Sequence, residues 1–343
     1  MANSLPFKDL EFISDSLHEI LPSLKHKTFF ITGGSGFFGK WLTESLLYLN
    51  EKNDLDLKLI FLTRCKIKFL KANPSVISRN NVNLIEGDIT NFILDDKSVN
   101  YVIHAASLPN NKNSKDWPKQ HLESSIFGMK NLIDNCKGID SFLFISSGAV
   151  YLESENIKSV DGFLSFHESR DSFISEKYLY GSCKKTLENM LSIYSKDNNF
   201  KAKIARCFSF VGPYLPLDSN YAIGNFIQDI LENRDISLNS DGMSVRSYMY
   251  MTDLVVWLLT ILVNGNDSQA YNVGSNDPIT IKDLAKKIIT ITESGSNIKL
   301  NYSNSQSSIY LPNINKTIQD LNLSINFSID DAILKTFNWY KSL

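Results

Sequence analysis

From residue 27 onward, short apolar runs alternate with longer stretches whose apolar positions recur at helical spacing. Thr28-Phe29-Phe30-Ile31 reads as a buried strand, and residues 40–49 as the helix after it. Further runs at 57–63, 82–86, 100–104 and 141–147 read as strands. Helices are expected over about 120–136 and 175–194, the second with Leu187, Met190, Leu191 and Tyr194 on one side. Strands alternating with helices predict an α/β fold with a parallel, doubly wound sheet, complete by about residue 210. Ahead of it, residues 9–21 form a short amphipathic pattern ended by Pro22 and expected on the outside of the first domain. Residues 108–119 are polar with two prolines and read as a loop over the sheet's carboxyl edge. Residues 152–175 carry no readable motif, and 301–308 is a polar loop. The expected organisation is an N-terminal helical extension (1–26), a sheet domain (27–210) and a smaller α+β lobe (211–343).

Composition narrows the picture. With 343 residues, 43% of them hydrophobic, the chain can bury one large or two moderate cores. Lys and Arg total 35 against 37 Asp and Glu, so a nucleic-acid-binding surface is not expected. Cys65, Cys136, Cys183 and Cys207 lack metal-type spacing and read as reduced thiols of a cytoplasmic protein, with no metal site. No apolar run approaches the roughly 18 residues of a membrane span, so no membrane partner is expected. Asp9, Glu11 and Asp15 among the first apolar residues do not make a signal peptide.

Candidate chemistry begins at Thr32-Gly33-Gly34-Ser35-Gly36-Phe37-Phe38-Gly39. Strand, glycine turn and helix together are the context of a dinucleotide-binding turn. Gly33 allows the tight turn, Gly36 admits a pyrophosphate against the backbone, and Gly39 lets the helix lie close on the strand. Free N–H groups at the helix start, at Phe37 and Phe38, then face the phosphates. The second strand ends at Thr63-Arg64, without a carboxylate to repel a 2′-phosphate. Arg64 can pair with such a group, so NADP(H) is expected over NAD(H). Asp88, after the third strand, can take an adenine amino group or cap the next turn. Ala105, Ala106 and Ser107 leave room at the fourth strand's end for a ribose. His104 reads as a sheet-end histidine.

A second cluster lies on the later helix. Tyr180 and Lys184 stand one turn apart on one face. An ammonium near a phenol lowers the tyrosine pKa from about 10, which makes Tyr180 a usable general acid or base. A hydroxyl from Ser146-Ser147, at the fifth strand's end, can hold the same substrate oxygen.

Together these residues resemble the extended short-chain dehydrogenase/reductases, in their NAD-dependent epimerase/dehydratase branch. The resemblance implies a Rossmann-type fold, a nucleotide-sugar substrate and a homodimer through the helices starting near 120 and 175. It implies cofactor contacts at Gly33, Gly36, Gly39, Asp88, Ile89, Ala105 and Ala106, and catalysis by Ser147, Tyr180 and Lys184. Ser147 is chosen over Ser146 because it stands three before Val150. In the second half, Arg246 would pair with a substrate diphosphate. Asn225 and Phe226, on a helix over 222–231, would lie under the substrate nucleotide, with Ser209 nearby. Ser125 and Ser209 stand where the family usually has Asn. Gly148-Ala149 replaces the Asp-Glu pair of the sugar dehydratases, and the cysteine of the epimerase-reductases is missing near Ala149. What remains is hydride transfer at sugar C4, with a 4-keto-sugar reductase favoured. The alternatives are a 4-epimerase with retained NAD, an atypical dehydratase or decarboxylase, and a non-enzymatic cofactor-sensing relative.

Overall fold

A computed structural model describes residues 4–94, 98–108, 114–151, 176–219, 221–300 and 307–343. The expectations for 152–175 and for most of the polar loop at 301–308 lie outside these residues. In chain order the first half contains α1 (Phe7–Ser16), α2 (Leu21–Leu24), β1 (Thr28–Thr32), α3 (Phe37–Lys52), β2 (Lys58–Thr63) and α4 (Lys66–Ala72). There follow β3 (Val82–Glu86), β4 (Tyr101–His104), α5 (Trp117–Asn135), β5 (Ser141–Ser147), α6 (Glu176–Asn198) and β6 (Lys201–Cys207). All of β4 and all but the last residue of β5 are buried, as strands covered on both faces must be.

The sheet is parallel, with β3, β2, β1, β4, β5 and β6 side by side in that order. Strand order reverses between β1 and β4, which opens a crevice at their carboxyl ends. The sheet does not stop near residue 210 as the sequence reading expects. Gln269–Val273 adds a seventh parallel strand on β6, with Tyr271 opposite Ala205. It covers the edge of β6, whose N–H and C=O groups would otherwise lack partners. Helices α7 (Ala222–Leu231) and α8 (Met251–Asn264) lie between β6 and that strand, and α8 is buried over most of its length. Short pairings build the rest: Val245–Arg246 lies between Ile279–Thr280 and Ile309–Tyr310.

Two helix ends differ from the sequence reading, both through proline. Pro22 does not end a helix but sits in the first turn of α2. Pro118 likewise sits in the first turn of α5, so that helix starts inside the expected 108–119 loop. A first-turn N–H has no partner within its helix, and proline lacks that group anyway.

Helix α1 lies across α3 and α8, with Ile13 and Leu17 in the main core. Its Asp9 is 1% exposed and accepts from the Tyr250 hydroxyl and the Lys335 ammonium, both at 2.6 Å. Lys335 belongs to the last helix, Ile329–Lys341, so one carboxylate ties the first helix to the last. Asp9→Ala is expected to cost about 2 to 3 kcal/mol, because it leaves a buried hydroxyl and an ammonium without their acceptor. Urea unfolding reads this, and a loss within about 0.5 kcal/mol, the scatter of surface changes, would refute the link.

Candidate functional site

The crevice begins where β1 turns into α3. Gly33 has φ +78°, and a Cβ there would lie 2.7 Å from the Ala105 and Ala106 backbone. A Cβ on Gly39 would lie 2.1 Å from the Gly33 carbonyl oxygen. Neither position can hold a side chain without moving backbone. Gly36 donates its N–H to the Gly33 carbonyl at 3.0 Å and closes the turn. The rings of Phe37 and Phe38 are half-buried, Phe38 against Phe210 at 5.0 Å. The first turn of α3 carries no acidic side chain, so it offers the crevice bare N–H groups.

A cleft of about 650 Å³ runs from this turn along the carboxyl ends of β1, β2 and β4. Gly33, Gly36, Arg64, Asp88, Ile89, Ala105, Ala106, Ser107 and Lys184 all line it. Arg64 is exposed at the end of β2. Asp88 accepts from the Thr90 N–H and hydroxyl, at 3.0 and 2.7 Å, and so caps the next turn. These bonds, with the charge of Arg64, hold its carboxyl below the usual range. His104 is a satisfied sheet-end histidine, with Nδ1 2.7 Å from the Thr32 hydroxyl. Burial lowers it to about 3, with Lys184 adding to the effect, so it stays neutral.

At the far end of the cleft Lys184 of α6 lines the wall, and Tyr180 and Ser147 meet beside it, outside the lining. The Ser147 hydroxyl is within hydrogen-bonding reach of Tyr180, and it accepts from the Ala149 N–H at 3.1 Å. That approach depends on Gly181, where a Cβ would lie 2.1 Å from the Ala149 carbonyl oxygen. Lys184 is buried and donates to the Ile145 carbonyl at 2.8 Å. Its ammonium lies 5.8 Å from the centre of the Tyr180 ring. Burial lowers Lys184 to about 8. Tyr180 is half-buried overall, yet the protein packed around its hydroxyl pushes it up to about 12. The bond to Ser147 opposes this in part. The expected lowering by Lys184 is therefore not what sets the phenol in this arrangement; desolvation sets it, and Ser147 is the group that opposes it.

Three groups that shape this end escape the sequence reading. Glu188, one turn after Lys184, accepts from Ser146 at 2.6 Å and from Arg206 at 2.9 and 2.6 Å. Arg206 also donates to the Tyr151 hydroxyl at 2.6 Å, which donates to Asn272 at 2.8 Å. The spacing of Lys184 and Glu188 is a helical pair visible in the sequence; the partner on β6 is not. His121 of α5 is stacked on Trp117 and lies 5.8 Å from the Tyr180 ring. It lines the cleft, is 2% exposed, and neither ring nitrogen has a partner among the described residues.

The substrate residues expected in the second half are spread more widely. Arg246 donates to the Val245 and Ser308 carbonyls and to the Ser308 hydroxyl, at 2.8 to 2.9 Å. Ser209 is half-buried, and its carbonyl accepts from the Met249 N–H at 3.0 Å. Asn225 is exposed on α7, while Phe226 is buried in the main core. Among the described residues no group of three or more His, Cys, Asp or Glu is placed to hold a metal. No described helix is long and apolar enough to cross a membrane.

Comparison with known proteins bears on the fold and the family. The chain is 25% identical to UDP-glucuronic acid decarboxylase 3 of Arabidopsis thaliana, over 79% of this chain and 76% of that protein. The structure of a UDP-N-acetylglucosamine 4-epimerase from Methanobrevibacter ruminantium superposes with a TM-score of 0.76. It is 22% identical, covering 93% of this chain and 99% of the other. A UDP-glucuronic acid 4-epimerase from Bacillus cereus, solved with UDP-glucuronic acid and NAD, superposes with a TM-score of 0.74. It too is 22% identical, over 92% of this chain and 99% of the other. Residues 29–274, from β1 to the end of the seventh strand, match the NAD dependent epimerase/dehydratase family, and the chain belongs to it.

Proposed function

We propose that the protein is an NAD(P)-dependent enzyme that moves hydride at C4 of a nucleotide-linked sugar, working as a 4-keto-sugar reductase. The observation that carries this is the meeting of Tyr180 and Ser147 beside Lys184, which itself lines the cleft that begins at the glycine-cradled start of α3. The residues fit a dinucleotide. Gly33 and Gly39 keep side chains out of the turn, and His121, which lines the same cleft, has no hydrogen-bond partner for either nitrogen among the described residues. When bound, the nicotinamide supplies the hydride. Tyr180, held neutral by burial, suits donation of a proton to the C4 oxygen. Ser147 orients that oxygen, and Lys184 keeps a positive charge beside it below about pH 8. Gly148 and Ala149 have no group that moves a proton, which disfavours elimination of water.

Arg64 in the cleft wall supports NADP(H) as the cofactor, since no acidic side chain follows β2 to oppose a 2′-phosphate. A 4-epimerase with retained NAD is the second reading, favoured by likeness to solved 4-epimerases. All four cysteines are free, which suits a cytoplasmic setting. Exposed Leu122 and Phe127 on α5 and Ile193 on α6, two helices packed together, suit a homodimer interface.

Tyr180→Phe is expected to lower turnover of UDP- and dTDP-linked 4-keto-hexoses by about a hundredfold or more. Turnover within a few-fold of wild type would remove Tyr180 from the chemistry. Denaturing the purified protein should release little NAD(H), and the empty site should prefer NADPH. Arg64→Ala should then weaken NADPH binding about tenfold to a hundredfold with NADH little changed. Release of stoichiometric NAD(H) would instead support the epimerase. Light scattering after size exclusion should give a dimer mass at micromolar concentration; a monomer would count against the α5–α6 interface.

A further inference from the structure

Tyr310 comes from the far end of the chain, yet its side chain enters the same centre. Ile309–Tyr310 pairs in parallel with Val245–Arg246, placing Tyr310 opposite Arg246. Side chains alternate along a strand, so Ile309 is exposed while Tyr310 turns inward. The Tyr310 ring lies 4.8 Å from Phe208, and the Arg246 guanidinium is 6.0 Å from its centre. A Cβ on Gly148 would lie 2.6 Å from the Tyr310 hydroxyl oxygen. Glycine at 148 is thus what admits the phenol. Its hydroxyl is within hydrogen-bonding reach of Ser147, on which Tyr180 also converges.

Counting bonds at Ser147 shows what a second phenol does. A serine hydroxyl has one proton and two acceptor sites. One acceptor site takes the Ala149 N–H. Burial holds the Tyr310 phenol well above its ordinary value, so it stays protonated and can donate into the other site. The single Ser147 proton is then left for the oxygen that Tyr180 faces. We infer that Tyr310 is a positioning residue for the reaction, fixing the Ser147 hydroxyl as a donor to the substrate oxygen, and that Gly148 is required for it. This rests on the reading of Ser147 and Tyr180 given above.

Tyr310→Phe keeps the ring on Phe208 and removes only the hydroxyl. With UDP- and dTDP-linked 4-keto-hexoses, kcat should fall about tenfold or more with KM within about threefold. Gly148→Ala should also lower kcat, but less in the Tyr310→Phe background than alone, since only the Phe208 ring, also 2.6 Å from such a Cβ, is then left to displace. Wild-type kcat in Tyr310→Phe, or additive losses in the double variant, would overturn the inference while leaving Tyr180→Phe to judge the reaction itself. A readout without substrate is the fluorine resonance of 3-fluorotyrosine placed at position 310. It should move in Ser147→Ala, and an unmoved resonance would equally overturn the inference.

Discussion

The forked ion pair between Glu188 and Arg206 is the interaction on which the cluster of Ser147, Tyr180 and Lys184 depends. Glu188 is 3% exposed, and taking such a pair out of water costs several kcal/mol before any attraction is counted. The geometry offsets this: two guanidinium nitrogens meet the two carboxylate oxygens, and Ser146 and Tyr151 take up remaining bonding capacity. The pair joins α6 to β6, and Ser146 joins it to β5. It therefore sets the rotation of α6 about its axis. With that rotation held, Tyr180 and Lys184, on the preceding turns, face the end of β5 and not solvent.

Close approach is the second constraint, and glycine meets it at each junction. Gly39 lets α3 sit on the turn after β1, and Gly181 lets α6 reach the backbone at Ala149. Gly148 leaves the space in which the Tyr310 hydroxyl and the Phe208 ring lie. Each of these contacts is between backbone, or ring, and a missing Cβ. The same packing excludes water around the hydroxyls of Tyr180 and Tyr310, which keeps both phenols neutral.

Much of this was legible before any coordinates. β1, β4 and β5 lie within a residue of their expected bounds because a strand buried on both faces needs an unbroken apolar run. The glycine turn was legible because backbone conformation and close approach restrict residue type at single positions. The pairing that completes the sheet was not, because Gln269–Val273 joins the edge of β6, more than sixty residues away, which sequence periodicity does not record. The burial that raises Tyr180 was likewise invisible: Lys184 is a neighbour in sequence, whereas the groups that desolvate the phenol are assembled from several elements.

Sequence alone determined what is local: alternation of strand and helix, the glycines at the first turn, and the one-turn spacing of Tyr180 and Lys184. The tertiary structure decided what converges. It brought Ser147, Tyr180 and Tyr310 to one point, left both His121 nitrogens without a hydrogen-bond partner among the described residues, and paired Glu188 with Arg206. The physical reason is range. Backbone preference and hydrophobic period act over a few residues, while desolvation and hydrogen bonding act between whichever groups the packed sheet brings together.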